Sequence, residues 1–247
     1  MFIGRQNKQL STFARNLMAG TLPMKPLIRV DITSDTVCPW CFVGKRNLEK
    51  AMDASKDKFA FEVWWHPFFL NPNADTKGVD KLEYYNNKFG KERAAAITER
   101  MTKVFHDLGL NFKIGGLTGS TLDSHRLIAL AGQQGSEKQN MLVEELFLNY
   151  FTQEKYIGDR QILLEAGRKA QVEGAEAWLN DPNAGMEEIR QDLKQYGKGV
   201  TGVPDFLHCM FSSEKNRTLF IISCRKERKK ETSKVGGFMI HIKIKQG

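Results

Sequence analysis

The stretch PLIRVDITSDTVCPWCF, residues 26–42, changes its hydrophobic period at a pair of cysteines. Before the pair, Leu27, Ile28, Val30 and Ile32 sit in the apolar–polar alternation of a strand. After it, Phe42, Leu48, Ala51 and Met52 recur at the spacing of a helix. Pro39 follows Cys38 at a place where a missing N–H costs nothing, because first-turn amides have no partner within a helix. The order is therefore strand, CxxC, helix, with Cys38 at or just before the first turn. KFAFEVWWHPFFLNP reads as a second strand, rich in aromatics and closed by Pro72. Strand, helix, strand opens a βαβ unit, so the class is α/β.

The chain then turns helical from about Lys81 to Lys198, punctuated by Gly109, GGLTGS, Gly135, Gly158 and NDPNAG. Asp123 and Ser124 are the expected N-caps before HRLIALAG. In NMLVEELFLNYF the apolar residues Leu142, Val143, Leu146, Phe147 and Tyr150 share one helical face, which reads as core. GVTGVPDF looks like a return to the β/α frame. The expected organisation is a disordered or targeting extension over 1–26 and one domain over 27–206. That domain has frame segments near 27–75 and 199–206 and a helical insertion near 80–198. A basic tail, 207–247, is expected to be poorly ordered.

Charge matters here only once it is located. The net charge is +8 over 247 residues. Residues 1–30 hold five basic side chains and no acid, and residues 209–247 hold ten basic and three acidic, leaving the body at −4. A nucleic-acid-binding domain needs a basic stripe on its folded body, and this body has none. No apolar run approaches the roughly 20 residues that span a bilayer. The segment MFIGRQNKQLSTFARNLMAG is basic, acid-free and loosely amphipathic, so a transit peptide to mitochondrion or plastid and a plain disordered extension both stay open. It lacks the apolar core of a secretory signal, which points to the cytoplasm, a reducing compartment.

Three readings compete for Cys38 and Cys41. A structural zinc site needs a second pair at short spacing, but Cys209 and Cys224 are fifteen positions apart in the tail. Two inert core cysteines leave the proline and the strand-to-helix junction without a purpose. A redox couple uses both. Two sulfurs one turn apart can join, and the first sits over free amides and the positive end of the helix dipole, which favours thiolate. Cys38 is then the nucleophile and Cys41 the resolving thiol, with Pro39 and Trp40 tuning the couple. His66, ahead of Pro67 on an aromatic strand, reads as a satisfied edge residue, and His125 as a capping or packing residue.

Together, DTVCPWCFVGKRNLEKA, FEVWWHPFFLNP, GLTGSTLDSHRL, EELFLNYFTQEKYIGDRQILLEAG and GVTGVP resemble the DsbA-type thioredoxin-domain oxidoreductases of the FrnE-like branch, in family order over residues 28–206. The resemblance implies a thioredoxin fold with a large all-helical insertion domain. It implies disulfide exchange at Cys38 and Cys41 without metal or organic cofactor, on thiol or disulfide substrates. It also implies a cis bond at Val203–Pro204 facing the pair and a substrate groove involving His125 and Arg126. Glutathione-dependent isomerases and kappa-class glutathione transferases share the fold but carry serine at the nucleophile. Glutathione thus remains open as a co-substrate, and a transferase or isomerase as an alternative activity.

After Phe206 the resemblance stops. The family continues with an NG turn, an SGxQ motif and a closing helix, whereas this chain reads LHCMFSSEKNRTLF. The expectation is that the last strands and helix are missing or replaced, leaving an exposed sheet edge. On that view the chain could serve as a catalytically impaired binding module. The oligomeric state is left open.

Overall fold

The computed structural model describes residues 25–212, 219–226 and 238–243, from 207 onward as backbone only. The N-terminal extension lies outside these residues. Strand β1 (Leu27–Ser34), helix α1 (Pro39–Asp53) and strand β2 (Ala60–Pro67) form the predicted βαβ unit, with β1 and β2 parallel from Leu27↔Ala60 to Ser34↔Pro67. Strand β5 (Asp205–Ser212) runs antiparallel on the other side of β1. Strands β6 (Leu219–Lys226) and β7 (Phe238–Lys243) complete a sheet in the order β2-β1-β5-β6-β7. The fold is thus α/β: a thioredoxin frame with a helical insertion. The return segment runs beyond the expected end at residue 206, and three strands cross the segment read as a poorly ordered tail.

The insertion carries seven helices: α2 (Lys81–Phe89), α3 (Lys91–His106), α4 (Leu122–Gln133), α5 (Ser136–Thr152), α6 (Arg160–Lys169), α7 (Ala175–Asn180) and α8 (Met186–Tyr196). It is not wholly helical. Val79–Asp80 (β3) and Leu117–Thr118 (β4) pair as a two-residue ladder that gathers α2 and α3 into one excursion. Asp80 caps α2 by accepting from Glu83 N at 2.8 Å, and Asp159 caps α6 through Gln161 N and Ile162 N. The N-cap of α4 is Thr121, not Asp123 or Ser124. Those two sit inside the first turn with other partners: Asp123 accepts from Arg126, and Ser124 donates to Thr121 O.

The predicted face of α5 is buried throughout. Phe147 stacks on Phe42 of α1 with centroids 5.1 Å apart, and Phe105 of α3 meets Phe42 edge-on at 5.7 Å. One core therefore joins frame and insertion. At its rim Lys45, almost wholly buried, forms an ion pair with Glu144 at 2.9 Å, tying α1 to α5. Gln139 does the same for β2, an edge strand of the sheet among the described residues. Its amide accepts from Trp65 N at 2.9 Å and donates to Trp65 O at 3.1 Å. A side chain stands in for the missing strand.

Alternation along β1 predicts one buried face, and both are buried. Ile28, Val30 and Ile32 enter the apolar core, while Asp31 and Thr33 lie beneath α8. Asp31 takes Arg29 and His66 Nε2 (2.9 Å); His66 Nδ1 reaches Asp192 at 3.0 Å, and its ring stacks on Tyr196. Burial alone opposes charge on His66, but hydrogen bonds to Asp192 and Asp31 outweigh it and raise its pKa. His66 is thus a satisfied residue, clamped between two carboxylates. Because its folded pKa lies above the ordinary 6.5, the clamp contributes fully below that pH and is lost as pH rises through the folded value. His66→Gln is expected to cost about 2 kcal/mol near pH 6 and distinctly less near pH 9. Denaturant melts of both proteins at the two pH values check this.

Candidate functional site

Cys38 is the N-cap of α1 and Pro39 its first residue. The turn that presents them is closed by Cys38 N donating to Asp35 O and Cys41 N donating to Cys38 O, both at 3.0 Å. Asp35 is wholly buried and reaches across to the next segment, where its Oδ2 accepts from Leu70 N at 2.7 Å. Phe68 N in turn donates to Ser34 O. The residues just before the cysteines and those just after β2 are thus one rigid assembly.

The two sulfurs differ sharply in surroundings. Cys41 is completely buried. Burial, the first and largest cause, and the neighbouring Cys38 push its thiol well above the ordinary range, partly offset by Ser34 and the Asp35 backbone. Cys38 lies at the edge of a cavity of about 480 Å³ between frame and insertion. Its Sγ is 3.5 Å from Val203 O, and the Val203–Pro204 bond is cis. Trp40, Pro39, Leu70 and Val203 form the frame side of the cavity, and Tyr84, Tyr85, Phe89 and Tyr150 the insertion side. Burial, with Cys38 and Tyr84 nearby, pushes the Tyr85 phenol up to about 12.

Cys38, Pro39, Trp40 and Val203 are thus gathered around one cavity, with Pro204 against α1. His125 and Arg126 are not among its lining residues. His125 stands behind the wall: Nε2 lies 3.1 Å from Phe68 O, which can only accept, so this nitrogen carries the proton. The same nitrogen is 3.4 Å from Asp35 Oδ1, an oxygen without a hydrogen-bond partner. Arg126 spends its guanidinium on the carbonyls of Trp178, Asp181 and Ala184 and on Asp123. It pins the α7–α8 connection, with four of its five N–H donors engaged. Cys209 and Cys224 lie on β5 and β6, beyond the described side chains.

A family model for the DSBA-like thioredoxin domain matches residues 29–210, well over half of the chain. The chain belongs to the DSBA-like thioredoxin domain family. A solved structure of a probable DsbA oxidoreductase from Streptomyces coelicolor is 32% identical with a TM-score of 0.65, covering 72% of this chain and 79% of that one. YwbO of Bacillus subtilis is 26% identical over 186 residues, 73% of this chain and 86% of its own length. Among the described residues no helix is long and apolar enough to cross a membrane.

Sequence reasoning missed three contributors to this DSBA-like site: a tyrosine pair, a lysine and a glycine. Tyr84 and Tyr85 lie on an insertion helix that carries no motif. Lys81, buried with its Nζ on Tyr150 O at 2.9 Å and 3.7 Å from the Tyr150 ring centroid, backs the cavity wall. Its pKa falls to about 8, chiefly through burial. The third is Gly44, where a Cβ would come 3.1 Å from Pro204 Cγ and 3.2 Å from the Phe206 ring. Its signal was a glycine inside an otherwise helical run. Gly44→Val is expected to push the 203–206 segment off α1 and cost about 1–3 kcal/mol through overpacking. A lowered melting temperature together with faster iodoacetamide alkylation of Cys38 checks it.

Proposed function

We propose that this chain exchanges thiols and disulfides through Cys38 and Cys41. The observation that supports this reading most is the asymmetry of the pair. Cys38 caps a helix at a cavity, and Cys41 lies one turn deeper with no route to substrate. Cys38 thiolate attacks a substrate disulfide, a Cys38–substrate bond forms, and the other half leaves as a thiolate that takes up a proton. Cys41, deprotonated, then attacks the Cys38 sulfur. The intramolecular disulfide forms and the second half leaves as a thiol. Two electrons pass from the protein dithiol to the substrate, and an external thiol restores the dithiol. The reverse sequence oxidises a substrate dithiol by the same steps. No metal or organic cofactor enters either direction.

Burial suits Cys41 to its second role. Its proton is held until the mixed disulfide has formed beside it, so it does not compete with Cys38 for substrate. Val203 O faces the Cys38 sulfur at 3.5 Å and lies where an incoming chain or ligand would align.

The test is alkylation trapping after equilibration in glutathione redox buffers, read by mass. A reversible Cys38–Cys41 disulfide is expected in the native chain, Cys41→Ser is expected to accumulate a mixed disulfide on Cys38, and Cys38→Ser is expected to form neither. A native pair that stays reduced in every buffer would sink the proposal.

A further inference from the structure

We infer that the cavity at Cys38 selects small disulfides with an apolar, aromatic-sized group on sulfur, in preference to glutathione disulfide and to protein disulfides; this rests on the exchange chemistry proposed above. Three observations point the same way. Cys38 is only 4% exposed, at the edge of a cavity roofed by α2 and α3. An approaching protein surface would have to bring its disulfide into that enclosure, whereas a small molecule can enter whole. The volume, about 480 Å³, is that of a small-ligand site.

The second observation is the chemistry of the walls. The lining includes Trp40, Leu70, Tyr84, Tyr85, Phe89 and Val203. The Tyr85 phenol keeps its proton and adds no charge. An aromatic ligand group gains both burial and ring contacts there.

The third is that several polar groups at the cavity are engaged with one another or with nearby backbone. Lys88 donates to Tyr84 Oη at 3.1 Å and lies over the same ring. Asp75 Oδ1 accepts from Lys77 N at 2.6 Å. Thr118 Oγ1 is bonded to Tyr150 Oη at 2.8 Å. Among the described residues, none of the buried polar side-chain atoms lacking a partner belongs to the lining. A site for glutathione would need donors for two carboxylates and acceptors for an ammonium, held ready in advance. Sites gain strong polar selectivity when fully buried groups go unpaired without the right ligand, and among the described residues no such atom lines this cavity.

The experiment uses the reduced full-length protein in single-turnover reactions with benzyl 2-hydroxyethyl disulfide, bis(2-hydroxyethyl) disulfide, glutathione disulfide and insulin. Each rate is divided by that of dithiothreitol under identical conditions, which cancels intrinsic reactivity. The benzyl probe is expected to show an enhancement about tenfold or more above the other three, the order an apolar pocket gives for one fitting group. Leu70→Trp, which narrows the cavity from a half-exposed position, is expected to collapse that ratio towards one. Val79→Trp makes the same test from the insertion side if the first variant does not fold. Equal enhancements, or preference for glutathione disulfide or insulin, overturn this inference and leave the exchange chemistry standing. No reaction with any probe overturns both.

Discussion

Everything at this site depends on β1 being held on both faces. Its apolar face would anchor it in any βαβ unit, but an ordinary strand of this kind leaves its polar face to solvent. Here Asp31 and Thr33 are buried by α8, and the burial is tolerable because each polar group has a partner. Asp31 is shared by Arg29 and His66, His66 by Asp31 and Asp192, and Thr33 donates to Tyr196 O. The consequence is geometric. β1 leads directly to Cys38, and the end of α8 leads through a short loop to Val203. One ionic clamp therefore fixes the starting points of both chain segments that meet at the sulfur.

The second constraint is the contact between α1 and the 203–206 segment. A helix carrying any side chain at position 44 would stand further from Pro204, and Val203 O would move away from Cys38. Glycine inside a helix costs up to about 1 kcal/mol relative to alanine. The chain accepts that cost where close approach requires it. Asp35 works in the same direction from the other side, joining the turn before Cys38 to Leu70 on the cavity wall. Frame, loop and wall are thus positioned by three separate contacts, each made by a residue that never needs to touch substrate.

What was legible in the sequence was local. The strand-to-helix change of period, Pro39 at the first helical position and the apolar face of α5 all follow from spacing within one or two turns. The CxxC pair belongs with them. His66 was readable as satisfied, but not its partners, because Asp192 lies 126 positions away. Arg126 was read as a groove residue for a related reason. The resemblance placed it in the groove, and only the fold brings the carbonyls of residues 178–184 onto its guanidinium. Asp123 and Ser124 looked like caps because their side chains suit that role, but Thr121 is the N-cap and both bond within the first turn instead, Asp123 to Arg126 and Ser124 to Thr121 O. Tyr84 and Tyr85 carried no signal at all: they become site residues only because the β3–β4 ladder turns α2 towards Cys38.

That last point separates two kinds of information in the fold. The frame supplies the sulfur, its helix end and the facing Val203, and any member of the family needs these in the same places for disulfide exchange. The insertion supplies much of the wall opposite, and nothing in the exchange chemistry dictates what stands there. Its position is fixed by contacts outside the cavity lining: the Phe42–Phe105–Phe147 cluster and the Lys45–Glu144 ion pair. Side chains on α2 can therefore change without disturbing the redox pair, because the core that holds the helices in place lies elsewhere. On the proposed exchange chemistry, substrate choice and sulfur chemistry fall to different elements of one packed body, which would let one vary while the other stays constant.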